Sequence, residues 1–95
     1  MDKVAYMKQV TSEMVTMYET KNSDYGDSFA KTWSAYGAMS FFIRAADKLN
    51  RLEALLLNNK VQQVKDESIK DTLKDLATYS IMSVNFQIKI RVNKK

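Results

Sequence analysis

The sequence predicts an all-α fold: a compact bundle of three long helices and one short helix, forming a single domain over 1–95 that is expected to self-associate. Three observations carry this. The 95 residues include no proline and only two glycines, Gly26 and Gly37, whereas turn-rich β architectures draw heavily on both residue types. Apolar residues recur at spacings of three and four over long stretches, the period of a helix that buries one face. A domain of this length builds a modest core, so a further copy would add stability that one chain lacks.

Residues 2–20 give the first helix. Val4, Met7, Val10, Met14 and Met17 share a face, and Asp2 is placed to cap the first turn. Core packing is the favoured reading of this methionine stripe. The other is an adaptable binding surface, because thioether side chains reshape easily. Residues 21–27 break the pattern at Gly26, which tolerates positive φ, and Asp27 or Ser28 can cap the next helix. This short second helix, over 28–36, carries Phe29, Trp33 and Tyr36, and Gly37 ends it or admits a close neighbour.

The third helix spans 38–57. Phe42, Ala45, Leu49, Leu52 and Leu56 line one face, widened by Met39, Phe41 and Leu55. The polar run NNKVQQVK, 58–65, predicts a loop. Asp66 is then the expected N-cap of a last helix from about 67 to 85 or beyond, with Glu67 and Asp71 near its positive dipole end. Further on, Phe86, Ile88, Ile90 and Val92 alternate with polar residues, which is a strand signal. A lone strand has nothing to pair with, so a helix with a frayed basic tail is preferred and the strand is kept as the minor option.

Composition excludes whole classes of chemistry. Cysteine and histidine are both absent, which removes disulfides, thiolate nucleophiles, imidazole bases and the usual zinc ligands. A bound metal would be a divalent ion held by oxygen, magnesium first among them. The net charge of +4, from 15 basic and 11 acidic residues, suits a phosphate-bearing partner and equally suits plain solubility. Acidic and basic residues are mixed throughout, which argues against specific nucleic-acid binding. No apolar run reaches membrane-spanning length, so a cytoplasmic location and no membrane partner are expected.

Two charged stripes stand out. Arg44, Lys48 and Arg51 lie at i, i+4 and i+7 on the third helix, with Asp47 beside them. Glu67, Asp71 and Asp75 lie at i, i+4 and i+8 on the fourth. Like charges so spaced repel by a few tenths of a kcal/mol per pair, roughly, so compensation is expected. In one reading the two helices are antiparallel neighbours and the stripes pair, each exposed ion pair contributing about 0–1 kcal/mol. In the other they line a cleft where the cations meet phosphate and the carboxylates hold a divalent ion or ribose hydroxyls. The stretch ETKNSDYGDSF, 19–29, fits the second reading. Lys21 and Asn22 can contact phosphate or a base edge, and Tyr25, Phe29 or Trp33 can stack on a base for about 1–3 kcal/mol. Asp24 joins this ligand-contacting set or serves the turn.

The runs KNSDYGDSF (21–29), IRAADKLNRLEAL (43–55) and DESIKDTLKDLATYSIM (66–82) together resemble the phage and bacterial family called nucleotide modification associated domain 1. The resemblance covers most of the chain. It implies a role around nucleotide metabolism or modified bases, and it marks Lys21, Asn22, Asp24, Tyr25, Gly26 and Phe29 in the first run. In the second it marks Arg44, Asp47, Lys48 and Arg51, and in the third Asp66, Glu67, Asp71, Thr72, Asp75 and Tyr79. The third run also looks like the second acidic helix of MazG-like nucleoside triphosphate pyrophosphohydrolases. Those enzymes carry an E-E-x-x-E pattern on a first helix, which this chain lacks. Its Glu13 and Glu19 stand six apart, as do Asp47 and Glu53, so each pair falls on different faces.

The function expected is therefore non-catalytic binding of a nucleotide or nucleotide-derived signal in an aromatic and basic pocket, with sequestration of a host defence signal as one phage use. The alternative is a magnesium-dependent pyrophosphohydrolase, with Asp47, Glu67, Asp71 and Asp75 as ligands and Arg44, Lys48 and Lys21 on the phosphates. A third is a purely structural, protein-binding helical module.

Overall fold

The computed structural model of the chain describes residues 2–22, 27–57 and 62–93, with the side chains of the last stretch described over 67–87. Among these residues four helices follow one another: α1 (Lys3–Thr20), α2 (Phe29–Tyr36), α3 (Met39–Leu57) and α4 (Gln62–Asn93). Among the described residues there is no strand. The all-α reading, three long helices and one short, is the fold. The expectations for Asp24, Tyr25, Gly26 and residues 58–61 lie outside the described residues.

Local chemistry sets several of the ends. Asp2 caps α1: its side-chain oxygen accepts the Val4 N–H at 3.2 Å, satisfying one of the unpaired donors of the first turn. Ser28 is different from expectation. Its backbone is already helical and its side chain makes no cap hydrogen bond. Gly37 ends α2 at φ 65°, donating its N–H to the Trp33 carbonyl at 2.7 Å. A β-carbon there would meet nothing within 4 Å, so backbone conformation and not space calls for glycine. The Ser40 N–H then bonds the Gly37 carbonyl at 3.0 Å, and α3 begins at once.

α4 is longer than the sequence suggests. Residues 62–65 are helical, so Asp66 sits inside the helix and does not cap it. Nothing in QQVK stops a helix, since each residue is an ordinary helix former. At the other end the alternating tail is helical through Asn93, because extending a helix already formed is easy and no second strand is at hand. At about 1.5 Å per residue, these 32 residues account for the 51 Å long dimension of the molecule.

The core is aromatic and sits where α2 lies on α4. Phe29, Trp33, Tyr79 and Met82 are buried, with Met17, Tyr18, Phe41 and Phe86 packed around them. Phe29 meets Tyr79 edge-on at 4.9 Å between ring centres, and Trp33 meets Phe86 at 5.4 Å. These are favoured aromatic separations. The expected stripe of α1 reaches the interior only in its second half. Met14 is buried and Met17 packs on the core, but Val4 and Met7 stand in the open.

α3 departs furthest from expectation. Of its predicted core face, Phe42, Leu49 and Leu56 are exposed, and only Ala45 and Leu52 are half-buried. The helix is rotated so that Arg44 and Lys48 are half-buried instead. The partners that α4 offers explain this orientation.

Candidate functional site: a cation-rich seam between α3 and α4

α3 and α4 pack against each other more extensively than any other two helices, and polar pairs mark their seam. Arg44 lies over the Tyr79 ring, 5.6 Å from guanidinium carbon to ring centre. Lys48 Nζ stands 3.2 Å from Asp75 Oδ2. Arg51 Nε donates to the Thr72 hydroxyl at 3.3 Å. As numbers rise along α3 they fall along α4, so the helices are antiparallel. The spacing 44, 48, 51 meets its mirror image 79, 75, 72. Helical periodicity brings each set to one face, and the three pairs mark the register of the two helices.

Each rung differs in kind. The first is a cation on an aromatic face. The second is an ion pair with both side chains about three-quarters covered. In the third, the buried Thr72 hydroxyl accepts from Arg51 and donates to the Ser68 carbonyl at 2.7 Å, so this buried hydroxyl is satisfied in both directions. The pairing reading of the two stripes thus holds for one acidic residue of three. Asp75 faces the cations, while Glu67 and Asp71 are exposed. Thr72 and Tyr79 supply the other rungs. Mirroring the α3 spacing onto the fourth helix from Asp75 would have found them.

A second tie joins α1 to α4. Lys74 Nζ lies 2.8 Å from Glu13 Oε1. The hydrogen bond from Lys74, helped by one from Gln9, holds the Glu13 carboxyl below the usual carboxylate range. The same bond raises the Lys74 ammonium above the usual lysine range.

The other nominated residues are dispersed. Lys21 and Asn22 are exposed just past the end of α1. Phe29 and Trp33 are core residues, so in this arrangement neither presents a face for stacking. Asp47 is exposed on α3. The carboxylates nominated for magnesium are not brought together: among the described residues no three acidic side chains gather into a metal-binding group, and Asp75 is engaged with Lys48. No described helix is long and apolar enough to cross a membrane.

These features define a small all-α domain built on an antiparallel helical pair with a basic seam. Its sequence matches the family described as nucleotide modification associated domain 1 over residues 21–86, more than half of the chain, and the chain belongs to that family. Comparison with curated proteins and with solved structures gives no match. The matched region holds α2, α3, the aromatic core positions of α4 and every rung of the seam, whereas α1 precedes it.

Proposed function

We propose that this chain binds a nucleotide, or a nucleotide-derived signal, through phosphate at the α3 edge of the seam, and releases it unchanged. One observation carries the reading. Among the described residues, two of the three cations on the seam meet neutral groups, Arg44 a phenol ring and Arg51 a threonine hydroxyl. The seam therefore holds more positive than negative charge. Arg51 is also exposed, and a guanidinium can offer two parallel N–H groups to phosphate oxygens. Lys21 and Asn22 are further exposed donors inside the matched region. The family description gives the nucleotide setting, and capture of a host defence signal is the use such binding would have in a phage.

Isothermal titration against mono-, tri- and cyclic nucleotides, with and without magnesium and with product analysis afterwards, tests this. The expected result is binding with the ligand recovered intact, weakened at least about tenfold in Arg51→Ala by loss of a charge-assisted contact, while the melting temperature barely moves. Magnesium-dependent conversion would transfer the chain to the hydrolase class. No heat and no product across the panel would remove the reading.

A further inference from the structure

The outward face of α3 is a surface that neither the core nor the seam uses. Phe42 is 63 % exposed, Leu49 56 % and Leu56 62 %, and Met39, Ile43 and Leu57 are all more than half exposed. A helix normally turns its apolar stripe to the core; α3 gives its own chain the basic side and leaves this stripe uncovered. The chain exposes 7324 Å² in all. A folded monomer of 11.0 kDa is expected to expose roughly 5,600 Å². The excess of roughly 1,700 Å², to which exposed apolar side chains of α1 and α4 such as Met7 and Val84 also contribute, is about twice what one partner contributes to a standard interface, about 800 Å², so the α3 face need supply only part of it.

The stripe also has a regular period. Met39, Phe42, Ala46, Leu49, Glu53 and Leu56 are separated alternately by three and four residues, the 3.5-residue repeat of a helix that packs along another helix. The positions flanking it on one side, Ile43, Asn50 and Leu57, are uncharged.

We infer that α3 packs through this stripe against α3 of a second copy of the chain, antiparallel about a two-fold axis between Ala46 and Leu49. The axis is two-fold because the same face must serve both copies. Glu53 decides the direction. In a parallel pair two Glu53 carboxylates would face each other at one core position. In the antiparallel pair they stand roughly 16 Å apart along the axis at about 1.5 Å per residue, beyond a Debye length of about 8 Å. Glu53 then lies across from the partner's Phe42, and Met39 across from the partner's Leu56. Both basic seams remain on the outer sides of the pair. This inference is independent of the nucleotide reading, and its test uses no nucleotide.

Sedimentation equilibrium of the full chain should give a mass near twice the 11.0 kDa of one chain, and Leu49→Glu should give a helical monomer by circular dichroism. The absence of cysteine allows a second measurement that does not depend on that variant folding. Under mild oxidation Leu49→Cys should cross-link to itself. Met39→Cys and Leu56→Cys should cross-link to each other when mixed and neither to itself, as the short span of a disulfide requires. Lys8→Cys, on the exposed side of α1, should stay monomeric. A wild-type monomer at high concentration, or a dimer that survives Leu49→Glu, would overturn the inference. Self-cross-linking at Met39 and Leu56 would overturn the antiparallel arrangement.

Discussion

Two neighbouring regions of α4 hold the fold by opposite means. Around Tyr79, Met82 and Phe86 the helix is covered by α2 and the contacts are rings and thioethers. One to two turns earlier, at Asp75 and Thr72, it meets α3 through an ion pair and a hydroxyl. The aromatic region removes apolar surface from water, which drives folding, and its rings sit at specific separations. The polar region contributes less energy, through rungs that form only at close range. Tyr79 belongs to both, with Phe29 on one side and Arg44 above its ring. Apolar burial and polar pairing are therefore supplied by different side chains that meet at one residue.

The largest effect should come from the aromatic side. Phe29→Ala empties a site that is fully buried and should cost about 3–5 kcal/mol, read as a lower denaturant midpoint or as loss of the folded state. If it costs no more than a seam substitution, the contrast between the two regions is wrong. Gly37→Ala is next. It forces an L side chain to hold φ 65° with ψ −146°, a backbone region nearly confined to glycine, and should cost about 1–3 kcal/mol through backbone strain alone, since space is open around it. A thermal melt measures this.

The seam should respond more weakly. In a double-mutant cycle with Lys48→Met and Asp75→Asn, the coupling should be about 1 kcal/mol or less, since both partners stay partly solvated. Smallest of all is the tie outside the matched region. Glu13 has its folded carboxyl pKa depressed, so its bond to Lys74 contributes stability above the unfolded carboxylate value of 4.5 and loses it as pH falls through the depressed one. Lys74 is raised, so its share is full below 10.5 and lost only as pH climbs past the raised value. Melting curves of wild type and Glu13→Gln should differ slightly near about pH 7 and converge as pH falls through the depressed Glu13 value. A gap that persists in acid would mean that Glu13 acts through packing and not charge.

The number of helices and the basic spacing on α3 were legible in the sequence, because each is a local pattern with a fixed period, whereas Phe29 and Trp33 stood out only as aromatics suited to stacking and the fold buries both in its core. What periodicity does not contain is the identity of the partner. Phe42, Leu49 and Leu56 form a genuine apolar stripe, yet α3 turns Arg44 and Lys48 to its neighbour because α4 presents Tyr79 and Asp75 there. Likewise Asp66 has the chemistry of a cap, but a cap is chosen by where a helix begins, and QQVK begins it earlier. Glu67, Asp71 and Asp75 share one face of a helix drawn alone. In the fold only Asp75 is turned to the cations.

The antiparallel seam has a near-twin. Acidic residues recur every fourth position at 67, 71 and 75, so sliding α3 by one helical turn, about 5.4 Å, would set Arg44 beside Asp75 and Lys48 beside Asp71. Charge alone would accept either setting. The slide is blocked at the corner, where Gly37 leads α2 straight into α3 and Phe29 is locked between Trp33 and Tyr79. The aromatic cluster thus works as a detent on a ratchet whose teeth are charged: it holds one notch among several that electrostatics would allow.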